Sequence, residues 1–129
     1  MTNPIIDDQI KVLAELCPGA GADPIANGGN LITIPKFKLP PGWSAKEVTL
    51  LFVAPAGYPA AQPDCFWVEP TGLRLENGVT PQNTNDSNPI PGVGPRGTWF
   101  SWHVQQWNAN HDSLVTYFSV IKQRLRPAR

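Results

Sequence analysis

Three prolines within nine residues constrain this chain more than any other feature: Ala54-Pro-Ala-Gly-Tyr-Pro-Ala-Ala-Gln-Pro-Asp-Cys-Phe-Trp-Val68. A run of β-branched and apolar residues, Val48 to Val53, stops at Pro55, and a second apolar run opens at Cys65. Proline has no N–H for a sheet ladder, so Pro55, Pro59 and Pro63 predict a stiff, unpaired crossing between two strands. Tyr58 is the one large side chain in that crossing. Its ring is expected to pack underneath while its hydroxyl finds a backbone partner.

A chain of 129 residues is expected to form one domain, residues 1–129, large enough to bury a core. Basic and acidic side chains number 10 each. A formal charge of zero argues against a nucleic-acid or membrane-surface binder that works by bulk charge. No stretch approaches the ~20 apolar residues of a membrane span. The N-terminal residues are acidic, without the basic region of a secretory signal. Cys17 and Cys65 have no metal-like spacing, and a cytoplasmic location would keep both reduced. No metal or cofactor is expected, since no phosphate loop, metal cluster or nucleotide fingerprint is present. The 15 prolines and 11 glycines lie mostly between residues 18 and 97, which predicts long ordered loops.

Residues 4 to 17 read as a helix. Pro4 suits a first turn, Asp7 and Asp8 suit its positive end, and Ile6, Ile10, Leu13 and Cys17 make an apolar stripe. Pro18-Gly19 stops it, and residues 18 to 30 show no periodic signal. Leu31 to Leu39 alternates and reads as a first strand. Val48 to Val53 is nearly all apolar and reads as a central strand, with Cys65 to Val68 as a third. Leu73 and Leu75 suggest a short fourth segment before the Asn77-Gly78 turn. Residues 79 to 97 carry almost no apolar side chains, and a structureless loop of that length points to function or disorder. Trp99, Phe100, Trp102 and Val104 resume an apolar run. Asn110 or Asp112 is expected to cap a last helix reaching about Leu125, with Leu114, Phe118, Ile121 and Leu125 on its buried face. Helix, antiparallel strands, long loop and helix predict an α+β fold with the helices on one side of the sheet.

Tyr58, Pro59, Pro63 and Trp67 resemble the Tyr-Pro-x-x-x-Pro-x-x-x-aromatic signature of ubiquitin-conjugating enzymes. Trp107-Asn-Ala-Asn-His-Asp-Ser-Leu114 resembles the tryptophan and helix start that follow the active-site segment in that family. The order of elements agrees as well, and the likeness is greatest to minimal prokaryotic members. The resemblance implies an N-terminal helix, a four-stranded antiparallel meander, a long active-site loop and a C-terminal helix packed on the sheet. It implies two partners, a ubiquitin-like protein and an activating enzyme. It places the activating-enzyme surface on the first helix, near Gln9 and Lys11.

Two family features are missing. No His-Pro-Asn tripeptide occurs, and the segment where the nucleophilic cysteine is expected reads Gly97-Thr-Trp-Phe-Ser-Trp-His-Val-Gln-Gln-Trp107. Cys17 ends the first helix. Cys65 falls in a strand, where a free cysteine behaves as a small buried hydrophobe. Ser101 is the nearest hydroxyl to the expected place, and His103 lies two residues on. In extended backbone, i and i+2 project to one face, ~7 Å apart, so a direct bond between them requires a bend. A serine nucleophile needs an adjacent base, and histidine is the side chain suited to that role near neutral pH. Ser101 and His103 are therefore the candidate catalytic pair, with Ser101 accepting the ubiquitin-like protein as an oxyester. Asn83, Asn85 or Asn88 of the long loop is the candidate oxyanion partner, in place of the missing motif's asparagine. Thr98 is a second hydroxyl candidate, and His111 reads as a surface or capping residue. The alternative is a catalytically inactive domain of the same fold that binds a ubiquitin-like protein or activating enzyme as a scaffold.

Overall fold

A computed structural model describes residues 3–129. The elements in chain order are α1 (Pro4–Leu16), β1 (Gly21–Pro24), β2 (Asn30–Lys38), β3 (Glu47–Ala54), β4 (Phe66–Glu69), β5 (Thr84–Asn85), β6 (Thr98–Phe100) and α2 (Leu114–Leu125). The strands form one sheet in the order β1-β2-β3-β4-β6-β5, with every neighbouring pair antiparallel. The α+β reading holds, but the four-stranded meander is corrected to a six-stranded sheet. Three strands lie outside that expectation, β1, β5 and the three-residue β6, and all are short. β1 lies in the Gly/Ala-rich stretch, and its Gly21-Ala-Asp-Pro24 carries no alternation to read. β5 has only two residues and pairs with β6 inside the loop expected to be structureless. Leu75 makes an isolated bridge to Trp43 in place of a strand. No helix among the described residues is long and apolar enough to cross a membrane.

The helix ends follow side-chain caps. Asn3 precedes α1, and its side-chain oxygen accepts from the Ile5 N–H at 2.8 Å. α2 starts later than the sequence suggested, because Ser113 is its cap, in a reciprocal box with Thr116. Asp112 instead accepts from the Asn108 N–H at 2.7 Å, closing the preceding turn.

β3 explains why the sheet is buried on both sides. Val48, Leu50, Phe52 and Ala54 face the helices and join Ile6, Leu13, Tyr117 and Ile121 in the main core. Leu51 and Val53 face the other way, into a second cluster with Leu31, Cys65, Trp67 and Ile90. Ile90 comes from the long loop and is only 1% exposed. That loop is therefore a cover on the back face, not a solvated connection. The Trp67 indole N–H anchors it by donating to the Asn88 carbonyl at 2.9 Å.

Candidate functional site

The proline-rich crossing joins the two helices to the segment before α2. Tyr58 is buried, and its hydroxyl donates to the Gln9 side-chain oxygen rather than to the backbone partner expected. The same Gln9 oxygen accepts from the Leu114 N–H at 3.1 Å, at the first turn of α2. Gln9 is thus committed to the interior framework, while Lys11 stays exposed. The Trp107 indole N–H donates to the Pro59 carbonyl at 2.7 Å, and its ring centre lies 6.0 Å from that of Tyr58. The Tyr58-Pro59 peptide is cis. Tyr58, Pro59 and Trp107, which the sequence singles out at separate places, form one contact.

The edge of the β4–β6 pairing builds the polar site. Phe66, Trp67 and Val68 pair with Phe100, Trp99 and Thr98. Past the end of the ladder, the Cys65 N–H still donates to the Trp102 carbonyl at 3.2 Å. The buried Tyr117 hydroxyl lies 2.7 Å from the Cys65 carbonyl and 3.2 Å from that of Trp102, donating into the place where the two chains part. This register carries Asp64 alongside His103, whose Nδ1 bonds the Asp64 carboxylate. On the other side of β6, the Ser101 N–H donates to the Asn83 carbonyl at 2.9 Å. Asn83 has φ 57°, a left-handed conformation that asparagine tolerates better than most residues. Asn83, Ser101, Trp102, His103 and Gln105 line a surface hollow of about 310 Å³.

The two residues chosen from sequence, Ser101 and His103, therefore line one hollow. Of the three asparagines considered, Asn83 alone lines it. The Asn85 side chain is turned to the Ser87 N–H and hydroxyl, and Asn88 is held through its carbonyl by Trp67. Thr98 is fully buried and fully used. Its oxygen accepts from the Gly72 and Leu73 N–H groups and its hydroxyl donates to Asp86 at 2.7 Å, so it is removed as a nucleophile. His111 is exposed in the turn before α2.

Asp64 is the site residue that the sequence reading missed. In the β4–β6 register, opposing residue numbers sum to 166, which sets Asp64 opposite Trp102, one residue from His103. That relation becomes visible only once β4 is known to pair with β6. Cys65 belongs just outside β4, not within it, at φ 62° and 8% exposure. Burial and then the Asp64 charge push its thiol up, against weaker opposition from the Trp102 backbone and the Trp99 side chain. Its sulfur, the Asp64 carboxylate and the His103 ring lie within 4.8 Å of one another. Thiolate, imidazole and carboxylate are a donor set that zinc accepts. Asp64 and His103, however, are more than half exposed and already bond each other, and a thiol held protonated is a poor ligand. The arrangement fits a base and its orienting carboxylate better than a metal centre.

A helix-faced antiparallel sheet, a Tyr-Pro crossing clasped by a downstream tryptophan, and a polar hollow just before the second helix define an E2-like domain. The family model described as prokaryotic E2 family E matches residues 22–128, and the chain belongs to that family. No curated protein and no solved structure matches it. The chain is thus an E2-like protein of the ubiquitin-like conjugation class.

Proposed function

We propose that this E2-like protein accepts a ubiquitin-like protein from an activating enzyme and carries it as an oxyester on Ser101, in the cytoplasm. The supporting observation is the shared hollow of Ser101, His103 and Asn83, with Asp64 bonded to Nδ1 of His103. With its Nδ1 proton held by Asp64, His103 presents the Nε2 lone pair as a base, the division of labour seen whenever a carboxylate orients a catalytic imidazole. Ser101 Oγ attacks the carbonyl carbon of the thioester on the activating enzyme. An oxygen–carbon bond forms, the carbon–sulfur bond breaks, and His103 passes the serine proton to the departing thiolate. Attack by a lysine amine of the target then forms the amide and returns Ser101 as its alcohol. The Asn83 side chain is the donor for the transient oxyanion.

The test is incubation with the cognate activating enzyme, ATP and the ubiquitin-like protein. An adduct that survives thiol reductant, yields to hydroxylamine and disappears in Ser101→Ala supports the reading. His103→Gln should slow its formation by about 10²–10⁴-fold, and Asp64→Asn should slow it too. A reductant-sensitive adduct that persists in Ser101→Ala and vanishes in Cys65→Ser makes the thiol the acceptor and refutes the serine. No adduct, with binding of the ubiquitin-like protein retained, leaves the inactive scaffold as the function.

A further inference from the structure

A second surface lies away from the hollow, where the end of α1, the outer half of β2 and the start of the last turns of α2 meet. A groove of about 540 Å³ opens there, within the range of ligand-binding clefts. Its floor is apolar, made by Leu16, Ile34, Pro35, Phe37 and Phe118. β1 pairs with β2 only as far as Thr33, so this part of β2 has no strand outside it. A bulge between Ile34 and Phe37, with Lys36 at φ 55°, lets Phe37 pack edge-on against Phe118 at 5.8 Å while Lys36 and Lys38 remain exposed.

The rim carries one sign of charge. Lys36, Lys38 and Lys122 line the groove and no acidic residue does. The ion pairs among the described residues are Arg74–Asp86, Arg96–Glu69 and His103–Asp64, and none involves these lysines. Glu47 stands opposite Lys38 in the ladder without pairing with it. The Lys122 ammonium lies 4.7 Å over the Phe118 ring, so one cation is held against the apolar floor. In a chain of zero formal charge, three unpaired lysines around one apolar groove are a local concentration.

The apolar surface also continues out of the groove. Leu16 is 60% exposed, and Ile5 and Val12 are the other large apolar side chains exposed on α1. Positions 5, 12 and 16 fall within a ~40° arc of a helix and span about 16 Å of its length. The stripe is separate from the buried one of Ile6 and Leu13. Apolar surface of this kind that is contiguous with a charged rim marks an interaction site rather than chance exposure.

We infer that this groove and stripe dock an acidic amphipathic peptide segment of a partner protein, with one large apolar side chain seated on the floor that Phe37 and Phe118 form together and its carboxylates on the three lysines. A peptide fits better than a single anionic head group, because cations from two elements and an apolar track one helix long ask for several carboxylates and several anchors. The inference does not depend on acyl transfer at Ser101.

The test uses a fluorescein-labelled helical peptide with Leu and Phe at i, i+4 and i+7 and Glu elsewhere, read by anisotropy against the full chain. Controls replace every Glu by Lys, or the apolar anchors by Ser. The acidic peptide should bind, and both controls should bind at least tenfold more weakly. Lys36→Glu/Lys38→Glu/Lys122→Glu should weaken binding at least tenfold. Lys46→Glu, an exposed lysine outside the groove, should change it less than twofold. Binding should fall between 50 and 300 mM salt, as rim charges require. Amide shifts at Phe37, Lys38 and Lys122 would place the peptide. Equal binding by the triple variant, or shifts confined to other surfaces, overturns the inference. So does binding of phosphatidylserine vesicles through the same lysines when the peptide fails to bind.

Discussion

Arg124 is the most informative residue to perturb, because it is a buried cation that forms no ion pair with an acidic side chain among the described residues. It is 1% exposed, and its guanidinium carbon lies 5.0 Å from the Phe100 ring centre, 5.7 Å from that of Trp102 and 5.9 Å from that of Trp43. Nη2 donates to the Gln82 carbonyl at 2.7 Å and to the Arg129 carbonyl at 2.9 Å. Nη1 is buried and has no hydrogen-bond partner among the described residues. Burial, with a smaller push from Arg129, brings its pKa down from the ordinary arginine range to about 10. At about 1.36 kcal/mol per tenfold change in proton affinity, that fall means the charge is roughly 3 kcal/mol worse off in the fold than in water. The hydrogen bonds and ring contacts therefore offset only part of the cost of removing the charge from solvent.

Methionine keeps the unbranched shape and favourable contacts with the three rings, and removes the buried charge. It leaves two carbonyls without their donor. Gln82 is exposed and Arg129 half-buried, so water can take that place, at a cost near the ~1 kcal/mol of an ordinary hydrogen bond for each. Arg124→Met should therefore leave stability within about 1–2 kcal/mol of the original, or raise it. Arg124→Ala empties the aromatic box and should cost about 3–5 kcal/mol, as other large-to-small core changes do. Urea unfolding followed by tryptophan fluorescence and far-ultraviolet circular dichroism measures both. If methionine costs as much as alanine, the guanidinium contributes net stability and the account of its burial is wrong.

Other perturbations separate the remaining parts of the fold. Ile90→Ala should cost about 2–5 kcal/mol in urea unfolding, whereas a solvated loop would register less than about 0.5 kcal/mol. Gly97 has φ 76°, and a Cβ there would come 2.9 Å from the Val68 carbonyl oxygen. Gly97→Ala should therefore lower the melting temperature and cost at least about 1–3 kcal/mol of backbone strain. The Arg74 guanidinium and then the Thr98 hydroxyl hold the Asp86 carboxyl below its ordinary 3.8. A depressed folded pKa means that the unfolded chain takes up the proton first. The stabilisation is complete above the unfolded value and is lost as the pH falls through the folded one. Asp86→Asn should lower stability at pH 7 and flatten its dependence below about pH 4, and an acid titration of unchanged steepness would refute the pairing.

How much of this was legible in the sequence depended on whether a residue's role was local. α1, β2 and the apolar face of α2 follow from periodicity, because 3.6- and 2-residue repeats are written in the chain itself, and β3 follows from its unbroken apolar run. Tyr58 and Trp107 were recognisable as marks, but their mutual contact needed the fold. β1 and β5 were not readable, since Gly21–Pro24 and Thr84–Asn85 are too short and too poor in side chains to alternate. The same limit decided the site. Ser101 and His103 are two residues apart and could be paired from strand geometry, whereas Asp64 is 39 residues from His103 and has no local signal. Its contact with His103 exists only because β4 and β6 are neighbours in the register Phe66–Phe100. The long loop shows the converse error. Its composition suggests solvation, yet one isoleucine and one carbonyl, Ile90 and Asn88, bind it to the back of the sheet. A loop so held places Asn83 beside Ser101 from the outer edge of β6, while the crossing that ends at Asp64 approaches from β4. The hollow is thus assembled from both flanks of one three-residue strand, and a slip of one residue in its register would turn Ser101 and His103 away from their partners together.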